Sequence, residues 1–192
     1  MSSNDNFDQI KKDWEKFSAL CGKIEREGIQ DILDTLGERI CLCPYATHDD
    51  QTGAYPGGLV RTAISIAGTM KKVSSAYGVK LSSESLLLVG LLHDLGKIGS
   101  LEQDLFLEQD SDWHREKLGQ LYKYNEDLSK MSVSHRTLFL LQHFGVKVSN
   151  DEWLAIQLAQ GSHFEENRFY VGAEPDLALI LQQAKRFVTR KQ

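Results

Sequence analysis

Two side chains with opposite solvation demands stand together in Leu91-Leu92-His93-Asp94-Leu95-Gly96-Lys97. The run Leu86 to Leu92 is almost wholly apolar and lacks proline, the pattern of a helix buried on most sides. An imidazole and a carboxylate closing such a helix are costly to bury. They demand a metal, each other or a charged partner. Gly96 reads as the helix stop, and Lys97 brings a cation next to the pair, either as a helix-dipole partner or as a phosphate contact. His93, Asp94 and Lys97 are therefore the candidate catalytic residues.

The elements that must position them are helical. Phe7, Ile10, Trp14, Phe17, Leu20 and Ile24 recur every three or four residues, and Ile29, Ile32, Leu33 and Leu36 continue in a second stretch up to Gly37. Cys41 to Gly58 is a long irregular segment, and such loops are often functional. Leu59, Ala63, Ile66, Ala67, Met70 and Val73 mark a helix ending near Gly78, and Ser82-Ser83-Glu84 caps the helix that carries the dyad. The alternation in Leu105-Phe106-Leu107 and Leu121-Tyr122-Lys123-Tyr124 predicts a small hairpin. Three more helices are expected over 134–144, 150–160 and 175–189, opened by Ser134, Asn150-Asp151 and Glu174-Pro175. The expected fold is all-α, a bundle of about seven helices with one β excursion.

At 192 residues, 41% apolar and 26% charged, the chain suits one domain with a full core, with 1–40 as an N-terminal helical segment and 41–192 as its main body. A net charge of -5 argues against a general nucleic-acid or anionic-membrane binder. No apolar run spans a bilayer, and Met-Ser-Ser-Asn-Asp-Asn has no signal-peptide character, so the expected location is the cytoplasm. Cys21, Cys41 and Cys43 are odd in number and fit reduced thiols; Cys41-x-Cys43 with His48 lacks the usual spacing and a fourth zinc ligand.

Ala54-Tyr55-Pro56-Gly57-Gly58-Leu59-Val60 ahead of a helix, then Leu-Leu-His-Asp-Leu-Gly-Lys, resembles the HD superfamily of metal-dependent phosphohydrolases. Ser134-His135-Arg136-Thr137-Leu138 and Glu152-Trp153-Leu154-Ala155-Ile156 are also similar to that superfamily, especially its small phage-encoded members, over residues 40–188. The resemblance implies one or two divalent cations (manganese, magnesium, zinc or iron) that turn a bound water into hydroxide for attack on a phosphoester. It also implies His93, Asp94 and His135 as metal ligands. In a phage-encoded protein the location would be the host cytoplasm.

Several positions depart from the superfamily's pattern. Thr62 stands where it has a first His, Lys185 where it has an Asp on the last helix, and Ala159 where a His commonly precedes Gly. Losing an imidazole and a carboxylate weakens a metal site, and an ammonium repels a cation outright. Lys185 can instead pair with Asp94 and replace the metal's charge. Thr62, Arg61, His135, His163 and Lys185 complete the candidate ligand-binding set. The first reading is a degenerate HD protein that binds a nucleotide, a phosphorylated ligand or a protein partner with little or no hydrolysis. The alternative is a working phosphohydrolase with His163 or His48 as an added ligand. A structural or assembly subunit on the same scaffold is a third.

Overall fold

A computed structural model describes residues 3–161 and 164–190. Among these, eight α-helices run in the order α1 (Ser3–Cys21), α2 (Ile29–Leu42), α3 (Gly58–Tyr77), α4 (Ser83–Leu92), α5 (Asp112–Leu118), α6 (Val133–His143), α7 (Asn150–Leu158) and α8 (Asp176–Thr189). The fold is all-α with one small antiparallel hairpin, β1 (Phe106–Glu108) against β2 (Tyr122–Tyr124), in the register Phe106 to Tyr124. Its connection is longer than a tight turn. It holds α5, an eighth helix that the alternation over 101–124 conceals, capped by Ser111 and ended by left-handed Gly119.

The elements form for local reasons and then bury complementary faces. Ser82 caps α4 by accepting from the Ser85 N–H, as expected; α7 begins at the expected Asn150 and α6 one residue early at Val133, but the capping residues differ from those expected. Ser132, not Ser134, caps α6, and Ser149 caps α7 in a capping box closed by Glu152. Ser134 lies inside α6 and is buried. No helix among the described residues is long and apolar enough to cross a membrane.

Helix α3 lies along α4 and α8, α8 also meets α7, and α1 packs on α2, α3 and α4. The core runs continuously from Phe17 and Cys21 through Ile66, Met70, Leu88 and Leu92 to Ile156, Leu181 and Ala184. The N-terminal helices thus share the core that surrounds the dyad.

A buried ion pair locks this arrangement away from the dyad. Glu152, fully buried at the start of α7, accepts from Arg26 Nη1 at 2.7 Å and Nη2 at 2.8 Å. Arg26 follows α1 and also reaches Glu84 at 3.3 Å and the Lys147 carbonyl at 2.8 Å, so one guanidinium joins three segments. Burial pushes the Glu152 carboxyl up, but the bonds from Arg26 and the Ser149 N–H outweigh it and bring the carboxyl from 4.5 down to about 2. Because the folded value lies below the unfolded one, the stabilisation is complete above the unfolded value and drains away as the pH falls from 4.5 toward about 2. Glu152→Gln should cost about 3 kcal/mol at neutral pH. The stability gap between wild type and variant, measured by urea unfolding, should narrow steadily over that acid range. A gap independent of pH would refute the assignment.

Candidate functional site

The dyad sits at a junction of four elements. Helix α4 ends at Leu92, and His93 forms its C-cap. A 3-10 turn over Leu95–Ile98 follows at once, so Gly96 does not stop the helix. Its lack of a side chain serves close packing instead. A Cβ there would drive into the Val133 carbonyl and the backbone of Thr137, where α6 lies against the turn. Thr137 completes the seam: its hydroxyl donates to the His93 carbonyl at 3.1 Å and accepts from the Gly96 N–H at 2.8 Å.

Both dyad side chains are buried, at 1% and 2% exposure, too little for water to solvate the charge. His93 Nδ1 lies 3.0 Å from the Val89 carbonyl, which can only accept, so Nδ1 carries a hydrogen. That leaves Nε2 facing Asp94 Oδ2 at 3.3 Å, with no hydrogen bond closed between the two. Asp94 Oδ1 accepts from Gln160 Nε2 at 2.8 Å and from Lys185 Nζ at 3.0 Å. The same ammonium lies 2.9 Å from Oδ2, at ion-pair distance, and so straddles the carboxylate. Burial pushes the Asp94 carboxyl up, but Lys185 first, then His93 and Lys97, hold it well below the usual range.

Lys97 lies behind this pair. Its ammonium donates to the Tyr45 carbonyl at 2.7 Å and rests 3.9 Å from the centre of the Tyr45 ring. Burial lowers its pKa, partly offset by Asp94. The Tyr45 phenol, buried and close to the Asp94 carboxylate, is raised well above its ordinary value. Lys97 borders two cavities. One, of about 370 Å³, is lined by Tyr45, Thr47, Gln51, Tyr124 and Thr189 among others. The other, of about 420 Å³, lies between the Arg39–Pro44 stretch and the hairpin residues Phe106 and Tyr122.

The structure gathers some of the expected site residues and disperses others. His93, Asp94, Lys97 and Lys185 converge, and Thr62 is buried on α3 against the loop glycine Gly53. His135 is not part of the cluster. Its side chain is exposed on α6 because Thr137, two positions along the helix, is the one turned inward. Arg61 donates to Asp13 at 2.8 Å and lies over the Tyr55 ring, which makes it a brace between α3 and α1 rather than a ligand contact. His48 bonds to Thr47 and bridges to Gln120; Cys43 is buried, its thiol pushed up to about 12 by burial. His163 lies outside the described residues.

Three partners of the dyad escaped the sequence reading: Gln160, Thr137 and Tyr45. Gln160 was one residue away from notice, since Ala159 is a buried C-cap while Gln160, just before left-handed Gly161, reaches Asp94. A polar residue with that reach at the end of an apolar helix is the signal that could have found it.

The fit of a divalent cation follows from these contacts. His93 Nε2, buried without a hydrogen bond, and the adjoining Asp94 Oδ2 are atoms of the kind a metal takes. Yet the Lys185 ammonium stands 2.9 Å from that same Oδ2, where a cation would meet direct repulsion. Among the described residues no group of three or more His, Cys, Asp or Glu is placed to hold an ion. These residues do not fit the metal centre that the superfamily resemblance implies.

Lys185→Met, which leaves Asp94 buried without its cation, should cost about 3–5 kcal/mol in urea unfolding. Adding Asp94→Asn should recover most of that loss; strictly additive costs would show that the two groups do not interact. Comparison with known proteins adds no identity to this geometry: no family model matches the chain, no curated protein matches it by sequence, and no solved structure matches it.

Proposed function

We propose that this chain is a helical protein of HD lineage that acts by binding, with little or no phosphoester hydrolysis. The observation that carries the reading is the Lys185 ammonium held 2.9 and 3.0 Å from the two oxygens of Asp94. In a metal-dependent hydrolase a divalent ion would neutralise that carboxylate and lower the pKa of its bound water. An ammonium neutralises the carboxylate but has no open coordination position, so no hydroxide is generated. Thr62 in place of an imidazole, and Gln160 sharing Asp94 Oδ1 with Lys185, support the same conclusion.

The ligand of this reading is a nucleotide or another phosphorylated small molecule, taken into the cavity beside Lys97. That cavity offers a cation, hydroxyls from Thr47 and Thr189, and the Tyr124 ring as a stacking surface. Its volume of about 370 Å³ lies within the range of small-molecule sites.

Purified protein should carry no stoichiometric manganese, iron or zinc, and should release no phosphate from a panel of nucleotides and bis-p-nitrophenyl phosphate. At least one nucleotide in the panel should raise Tm equally with and without chelator. Manganese-dependent turnover that disappears in Asp94→Ala would overturn the reading. So would a panel in which no nucleotide shifts Tm while a protein partner co-purifies, which would move the function to assembly. The double variant Thr62→His, Lys185→Asp should gain manganese affinity relative to wild type by calorimetry; no gain would count against a lost metal centre.

A further inference from the structure

Arg136 is the only buried arginine among the described residues, at 5% exposure. Arg26, Arg39, Arg61 and Arg115 each meet a carboxylate, from Glu152, Asp104, Asp13 and Asp112 respectively. Arg136 meets only the Ser129 carbonyl, 3.0 Å from Nη2, and its Nη1 is shut away from solvent with no partner. Burial alone lowers its pKa, with no compensating acid. A guanidinium in that state is expensive, because its Nη1 donors have lost water and gained no partner.

The same side chain forms part of the wall of a cavity of about 260 Å³, bounded also by Ser100, Gln103, Asp127, Leu128 and Phe139. Its lining combines the guanidinium and hydroxyl or amide groups with apolar Leu128, Met131 and Phe139, the last two exposed. Ser129 and its neighbours Lys130 and Met131 are exposed, so this stretch, which bonds Nη2 and walls the cavity, can shift at low cost in buried contacts. The planar fork of an arginine matches a carboxylate in two parallel hydrogen bonds. Asp127 on the rim disfavours a dianion such as phosphate, while a monoanion meets less repulsion.

We infer that the Arg136 cavity is a binding site for a small monocarboxylate with an apolar body, the carboxylate engaging the guanidinium and the body lying on Phe139 and Met131. The site does not use the Asp94–Lys185 pair, so it stands or falls apart from the function proposed above.

The test titrates the full chain with benzoate, benzamide and inorganic phosphate, read by amide chemical shifts and by Tm. Benzoate should shift amides across 127–139 and raise Tm, while benzamide and phosphate should do neither. Arg136→Met, which removes a buried charge and should fold, should weaken benzoate about tenfold or more, and Arg136→Lys should recover only part of that loss. Failure of benzoate to bind wild type overturns the inference, as does equal binding of phosphate or an unaffected Arg136→Met. Benzoate binding that is seen only in Asp127→Asn also overturns it, since Asp127 would then be the internal anion for which Arg136 is built.

Discussion

A carboxylate cannot be left charged and unaccompanied inside a protein, and the architecture around Asp94 follows from that. Desolvation alone would force Asp94 to take up a proton; the Lys185 ammonium, the Gln160 amide and the nearby Lys97 keep it ionised instead. These groups come from three separate stretches of chain, the C-terminal half of α8, the residues just beyond α7 and the 3-10 turn after α4. The charge therefore acts as a clamp, since none of these elements can retreat without exposing a buried ion. Thr137 does the corresponding work for the backbone, holding α6 to both sides of the dyad through one hydroxyl.

The same solution appears a second time. Glu152 opens α7 buried and charged, with Arg26, 126 residues earlier in the chain, as its fork-shaped partner. Helix α7 is thus fixed at its start by one carboxylate–cation pair and, through Gln160 just beyond its end, joined to the other. Its neighbour α8 supplies the lysine, and α3 lies along both α4 and α8, so the two pairs share one rigid frame. Arg136 breaks the pattern: it is a buried cation with a carbonyl but no carboxylate, and it faces a cavity instead of an opposing helix.

The chemical consequence of the Asp94 clamp is a choice between two kinds of cation. A divalent metal brings open coordination positions and can activate water; an ammonium brings three fixed donors and no acceptor capacity. With Lys185 in place, the carboxylate is stabilised and the neighbouring imidazole is packed away, its Nδ1 hydrogen committed to Val89. What opens near the dyad is the Lys97 side, with its two flanking cavities.

Much of the fold was legible because periodicity is a local property of the chain. Apolar spacing marked seven of the eight helices, and the alternation near Phe106 and Tyr122 marked the hairpin, while α5, short and without a buried residue, left no periodic trace. The dyad was also legible, because two polar residues ending an apolar helix violate burial rules that hold for any fold. Lys185 could be suspected only through a resemblance, since nothing in its own neighbourhood points to a partner 91 residues away. Tertiary structure alone decided which side of a helix turn faces inward, and so chose Thr137 over His135 and Gln160 over Ala159. Sequence types fix what each side chain can do; packing of the helices fixes which of them are brought within 3 Å of one another, and that distance decides the chemistry.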